Sequence, residues 1–176
     1  MPFHVHYPQL RTLLIVRPKN RLTGSNPPNT TGRETPTLWA LGLGYAGLIP
    51  FVGLALAAWF LGPADRGPAV TALLTYGATI LSFIGAIHWG LAMRDASGAF
   101  GRLLVWGVVP SLVAWIALLI TQTPGLLLVA TGLWASFAVD RVVYRSCRLQ
   151  AWLPMRLTLT AVASLSCLVG AMALWR

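Results

Sequence analysis

Apolar residues in this chain come in long unbroken runs, unlike the alternating or one-faced stripes of a water-soluble domain. The clearest run is Val70 to Met93, VTALLTYGATILSFIGAIHWGLAM, with no charged residue and a single histidine. A run of about 18 or more such residues reads as a membrane-spanning helix. At ~1.5 Å rise per residue this one reaches roughly 36 Å, enough to cross with some tilt. Further runs of the same kind cover about 38–61, 102–120, 126–143 and 155–175. The pattern predicts an all-α fold, an integral membrane bundle of five transmembrane helices spanning 38–176. Polar and turn-forming residues separate the runs. Gly62–Ala69 holds Pro63, Asp65, Gly67 and Pro68, and Arg94–Gly101 holds Asp95, Ser97 and Gly98. Thr121–Gly125 holds Pro124, and Tyr144–Pro154 is a basic loop. Such short connections predict an up-and-down bundle. Pro50 sits near the middle of the first run, where a kink is expected. No internal repeat points to a transporter architecture.

Residues 1–37 break the pattern. They carry Arg11, Arg17, Lys19, Arg21 and Arg33 against one acid, Glu34, and 20–37 is rich in Asn, Thr, Pro and Gly. This composition predicts a disordered basic tail, of which Met1–Arg33 is expected to be dispensable for folding. Leu10–Val16 is too short and interrupted for a secretory apolar region. The arginine-rich, acid-poor start resembles a mitochondrial presequence, but its prolines and lack of an amphipathic helix argue against one. His4 and His6 have no third metal ligand nearby, and Asn29-Thr30-Thr31 matches a glycosylation sequon that matters only on a lumenal face.

Charge then sets orientation. The chain is 56% hydrophobic and 10% charged with a net charge of +9. A soluble domain carries about 25% charged residues. The positive charge would suggest nucleic acid in a soluble protein. Here it is better explained by arginines flanking the spans, and nucleic acid is not an expected partner. With the N-terminus inside, the inner segments collect Arg94, Arg102, Arg141, Arg145, Arg148 and Arg156 along with the tail. The outer segments hold Arg66 and Arg176. The positive-inside rule therefore selects N-terminus inside, C-terminus outside. The expected setting is a bacterial inner (plasma) membrane, or the mitochondrial inner membrane in a eukaryote. The expected partners are the lipid bilayer and either a second copy or another membrane protein.

Within the second run, Ala78, Ser82, Ala86 and Gly90 recur every fourth residue, a small-residue ridge suited to close helix packing. The chemistry-bearing residues are few. Cys147 and Cys167 are about twenty mostly helical residues apart, beyond disulfide reach. With four acids in all, and no phosphate loop, catalytic triad or metal-ligand spacing, no reaction, metal or cofactor is expected. Ionisable residues at membrane depth are the exception, because they are costly there and face the bundle or a wet cavity. His88 lies about 7.5 Å inside the inner boundary. Asp140 comes near the inner end of the fourth span, and Arg94, Asp95, Arg102 and Arg156 lie at that boundary. Thr158, Thr160, Ser164 and Ser166 give the last span a polar stripe. The candidate polar cluster is His88, Asp140, Arg94, Asp95 and Arg156; His88 and Asp140 are expected to share it, with Arg156 and Arg94 as rivals of Asp140 for the place beside His88. A structural, assembly or partner-binding protein is the leading functional expectation. The alternative is a small transporter or channel subunit with His88 and Asp140 in its path.

Two stretches carry a family resemblance. The segment Tyr76-Gly77-Ala78-Thr79-Ile80-Leu81-Ser82-Phe83-Ile84-Gly85-Ala86-Ile87-His88-Trp89-Gly90 resembles the signature of the domain of unknown function 3429 family. The segment Trp152-Leu153-Pro154-Met155-Arg156-Leu157-Thr158-Leu159-Thr160 is similar to a second element of that family, with Met155 in place of leucine and Ala151 in place of an aromatic residue. Eukaryotic members are called transmembrane protein 69. The resemblance covers roughly 38–174 and implies a small multi-pass membrane protein, with no reaction attached.

Overall fold

The computed structural model describes residues 35–94 and 101–176. The tail expected to be disordered lies almost wholly outside the described residues, and so does Asp95. Among the described residues every regular element is helical, and five helices are long and apolar enough to cross a membrane. The first crossing is made of α1 (Leu38–Ala46) and α2 (Leu48–Phe60). The others are α3 (Pro63–Arg94), α4 (Gly101–Leu119), α5 (Gln122–Ser146) and α6 (Leu153–Ala173), the last entered through a 3-10 turn over Gln150–Trp152.

The break in the first crossing falls at Gly47, three residues before Pro50. Pro50 has no N–H to give the carbonyl four residues back, and its ring crowds that carbonyl, so the strain appears one turn upstream. Two bonds settle the elbow. Gly47 N–H donates to the carbonyls of Leu43 and Gly44, both at 3.2 Å, and Tyr76 Oη on α3 donates to Gly47 O at 2.9 Å.

The prolines expected to mark turns lie inside helices. Pro63 opens α3, where its missing N–H has no intrahelical partner to lose, so 63–69 is helical and not a turn. Pro124 falls in the first turn of α5 and Pro154 in the first turn of α6, for the same reason. Accordingly α3 has 32 residues, or about 48 Å at ~1.5 Å per residue. The helix α5 runs from 122 to 146 instead of 126 to 143, leaving Ile120 and Thr121 to connect it to α4. Its far end closes with Arg148 at φ 59 and Leu149 N–H on the Tyr144 carbonyl at 2.8 Å. That left-handed residue followed by a return bond is a Schellman-type stop.

The central element is α3, touching α2, α4, α5 and α6, whereas α1 touches α2 and α6 alone. Phe51, Leu73, Leu81, Leu126, Val129 and Leu133 fill the main core. A smaller apolar cluster of Leu103, Val143 and Tyr144 lies where α3 and α5 finish and α4 and α6 begin. We call this the basic end, since Arg94, Arg102, Arg145 and Arg156 belong to it. Between the two apolar clusters runs a polar layer.

Candidate functional site

Each central helix contributes one ionisable side chain to that layer. On α3, His88 follows Ile84 of the main core by one turn, so it points into the bundle and is 0% exposed. On α5, Asp140 lies two turns beyond Leu133 of the core and is 1% exposed. It sits six residues before Ser146, deeper than a helix ending at Val143 would put it. On α6, Arg156 is 7% exposed. Its place near the start of α6 opposes the helix dipole, which an adjacent anion offsets.

Asp140 is the hub. Arg156 donates from Nε to Asp140 Oδ2 at 2.7 Å and from Nη2 to the same oxygen. His88 Nε2 stands 3.2 Å from Asp140 Oδ1, close enough for a charge contact but out of line for a hydrogen bond. The other ring nitrogen, Nδ1, lies 3.3 Å from the Ile84 carbonyl. An oxygen acceptor thus lies near each ring nitrogen. One carboxylate thus joins three helices that share no other charged contact among the described residues.

The layer continues along α6 at four-residue spacing. Thr160 and Ser164 lie on the same face as Arg156, and both hydroxyls are buried without a hydrogen-bond partner. Thr158 faces outward and donates to the Pro154 carbonyl at 3.2 Å, while Ser166 donates to Val162 at 2.9 Å. Arg94 ends α3 with its side chain exposed, outside the Asp140 cluster. Among the described residues no three His, Cys, Asp or Glu side chains come together to hold a metal ion. Both cysteines are free thiols, Cys167 in the core and Cys147 half-buried at the end of α5.

The small-residue ridge of α3 is distributed differently from its spacing. Ala78 is buried and Ser82 half-buried, but Ala86 and Gly90 are exposed. The close approach to α4 is made one position away, at Gly85. A Cβ there would come within 2.3 Å of the Gly107 carbonyl oxygen, and a Cβ on Gly107 would meet the Trp89 ring at the same distance. Trp89 Nε1 donates across this contact to the Leu104 carbonyl at 2.9 Å. Gly107 and Tyr76 are structural residues that hydropathy did not single out. Glycine in an apolar run and a tyrosine at mid-span were their available signals.

Comparison with known proteins fixes the family. The model of a family described as a protein of unknown function (DUF3429) matches residues 36–172. The chain belongs to this family. The matched region takes in all five membrane-spanning helices and the three residues of the charged layer. Transmembrane protein 69 of Xenopus tropicalis is 39% identical over 139 residues, covering 76% of this chain and 53% of that relative. The chain thus spans about half the length of the curated relative it matches. No solved structure matches this DUF3429 chain. The protein is an integral, multi-pass membrane protein.

Proposed function

We propose that this chain is a non-catalytic membrane scaffold that presents its apolar flanks to another membrane protein or to a second copy of itself. The observation that carries the reading is the closed charge layer. A buried carboxylate shared by two basic side chains from two other helices ties the bundle together, a structural use of charge. Breaking one partner of such a buried arrangement typically costs about 3–5 kcal/mol, so the layer acts as a lock. The reading includes N-terminus inside and C-terminus outside, with the basic end on the cytoplasmic face of a bacterial plasma membrane or the matrix face of a mitochondrial one. Arg66 and Arg176 alone flank the described spans at the other end, which supports that orientation.

The test is isolation of the full chain from its native membranes in mild detergent, with cross-linking beforehand. A membrane protein or a second copy recovered in fixed proportion is the expected result. Recovery as a lone monomer, together with pH-dependent flux in reconstituted vesicles that Asp140→Asn abolishes, would overturn it in favour of a transporter.

A further inference from the structure

The elbow at Gly47 has a spatial consequence. It carries α1 against α6, where Gly44 lies close to Met155, and away from α3, which α1 does not touch. The gap encloses a cavity of about 570 Å³. That volume is within the ~300–1,000 Å³ typical of small-molecule sites. Its long walls are apolar: Leu43 and Phe51 on one side, Ile84 and Ile87 on the other, Leu159 behind. Leu43 on α1 and Phe83 on α3 are both exposed at its rim, so the cavity opens sideways, where the hydrocarbon of the bilayer would lie.

The end of the cavity toward the basic end is polar, and two of its polar groups lack partners among the described residues. Arg94 and Arg156 both line it, and among the described residues no Asp or Glu does. Two of the five Arg156 donors are used by Asp140, the only carboxylate bonded to it among the described residues. Trp152 Nε1 and Thr160 Oγ1, also in the lining, are buried donors with nothing to bond, and Thr160 is 2% exposed. Leaving such donors unpaired in a low-dielectric interior is costly, and natural structures rarely do so without a ligand or water.

We propose that this cavity holds one acyl chain of an anionic phospholipid taken sideways from the bilayer, with its phosphate held by Arg94, Arg156 and the Trp152 indole N–H. The charge balance of the lining selects an acidic headgroup. The volume excludes a transmembrane helix as occupant, since a cylinder ~10 Å across fills 570 Å³ in about 7 Å, little more than one ~5.4 Å turn. A bilayer lipid is the amphiphile already present at the opening. The site is independent of any protein partner, so its failure would leave the scaffold reading standing.

The experiment uses the full chain, purified, delipidated and held in a neutral detergent, with thermal unfolding followed as lipid is added. Phosphatidylglycerol should raise the midpoint saturably, and phosphatidylcholine and oleate should not. Arg94→Gln, at an exposed helix end, should weaken the apparent phosphatidylglycerol affinity about fivefold, the worth of one basic residue near an anionic headgroup. Ala40→Trp, which puts an indole into the lining of the cavity on α1, should abolish the shift and leave the lipid-free midpoint in place. A phosphatidylglycerol effect that survives Ala40→Trp would move binding off this cavity and overturn the proposal. Equal shifts with phosphatidylcholine would overturn the anionic headgroup, and a shift with oleate alone would overturn the phospholipid.

Discussion

A single carboxylate decides how the polar interior of this bundle works. Asp140 accepts from Arg156 and faces His88, so neutralising it strands two basic groups at once. Asp140→Asn is expected to destabilise the detergent-solubilised protein by about 3–5 kcal/mol, read as a large drop in unfolding midpoint. The double replacement Asp140→Leu with Arg156→Met should recover much of that loss, because apolar groups need no partner. If the double variant is worse than Asp140→Asn, the layer is not an isolated charge lock. For His88, a cycle of His88→Ala and Asp140→Asn should deviate from additivity by at least about 0.5 kcal/mol. Sequence alone exposed His88 and Asp140 as ionisable residues inside apolar runs, and it raised Arg156 and Arg94 as rivals of Asp140 for the place beside His88. What separates the rivals is invisible to hydropathy. It depends on α5 continuing to Ser146, which sets Asp140 deep enough to meet the start of α6, while Arg94 ends α3 on the outside.

At the scale of elements, the apolar runs announced their helices but not their beginnings. Pro63, Pro124 and Pro154 look like turn residues in the sequence, yet each occupies the first turn of a helix, the one place where a missing N–H does no harm. The same limit applies to packing. A four-residue rhythm of small residues marks a thin face of α3, but the backbone contact with α4 depends on Gly85 meeting Gly107, a coincidence between two helices that neither run reveals alone. Gly107→Ala should therefore destabilise by about 1–3 kcal/mol through overpacking, since a methyl group there meets the Trp89 ring and the Gly85 carbonyl. Gly90→Ala, with nothing near its Cβ, should be neutral or slightly stabilising. Thermal unfolding of the two variants side by side checks both, and equal losses would contradict the contact.

For the whole molecule, the orientation is open to direct measurement. Cys147 ends α5 at the basic end and is partly accessible, while Cys167 is buried in the core. A membrane-impermeant maleimide should modify Cys147 in inverted vesicles and leave it untouched in sealed right-side-out ones. Labelling from the outside would reverse the assignment.

The pairing of Asp140 with Arg156 also has a history within each molecule. Synthesis runs from the N-terminus, and the two residues are 16 positions apart. At roughly 5–20 residues per second, Asp140 waits about one to three seconds before its arginine exists. During that time α5 must enter the membrane carrying a carboxylate worth about 2.5–3.5 kcal/mol against integration at a helix centre, with His88 the one partner of that carboxylate already made. The short 147–152 connection limits that wait, because α6 follows α5 after only a few residues. A chain stopped at Leu149 and fused to a glycosylation reporter should integrate α5 poorly, and extending the same fusion through α6 should restore it. Equal integration of both fusions would show that the carboxylate crosses unaided.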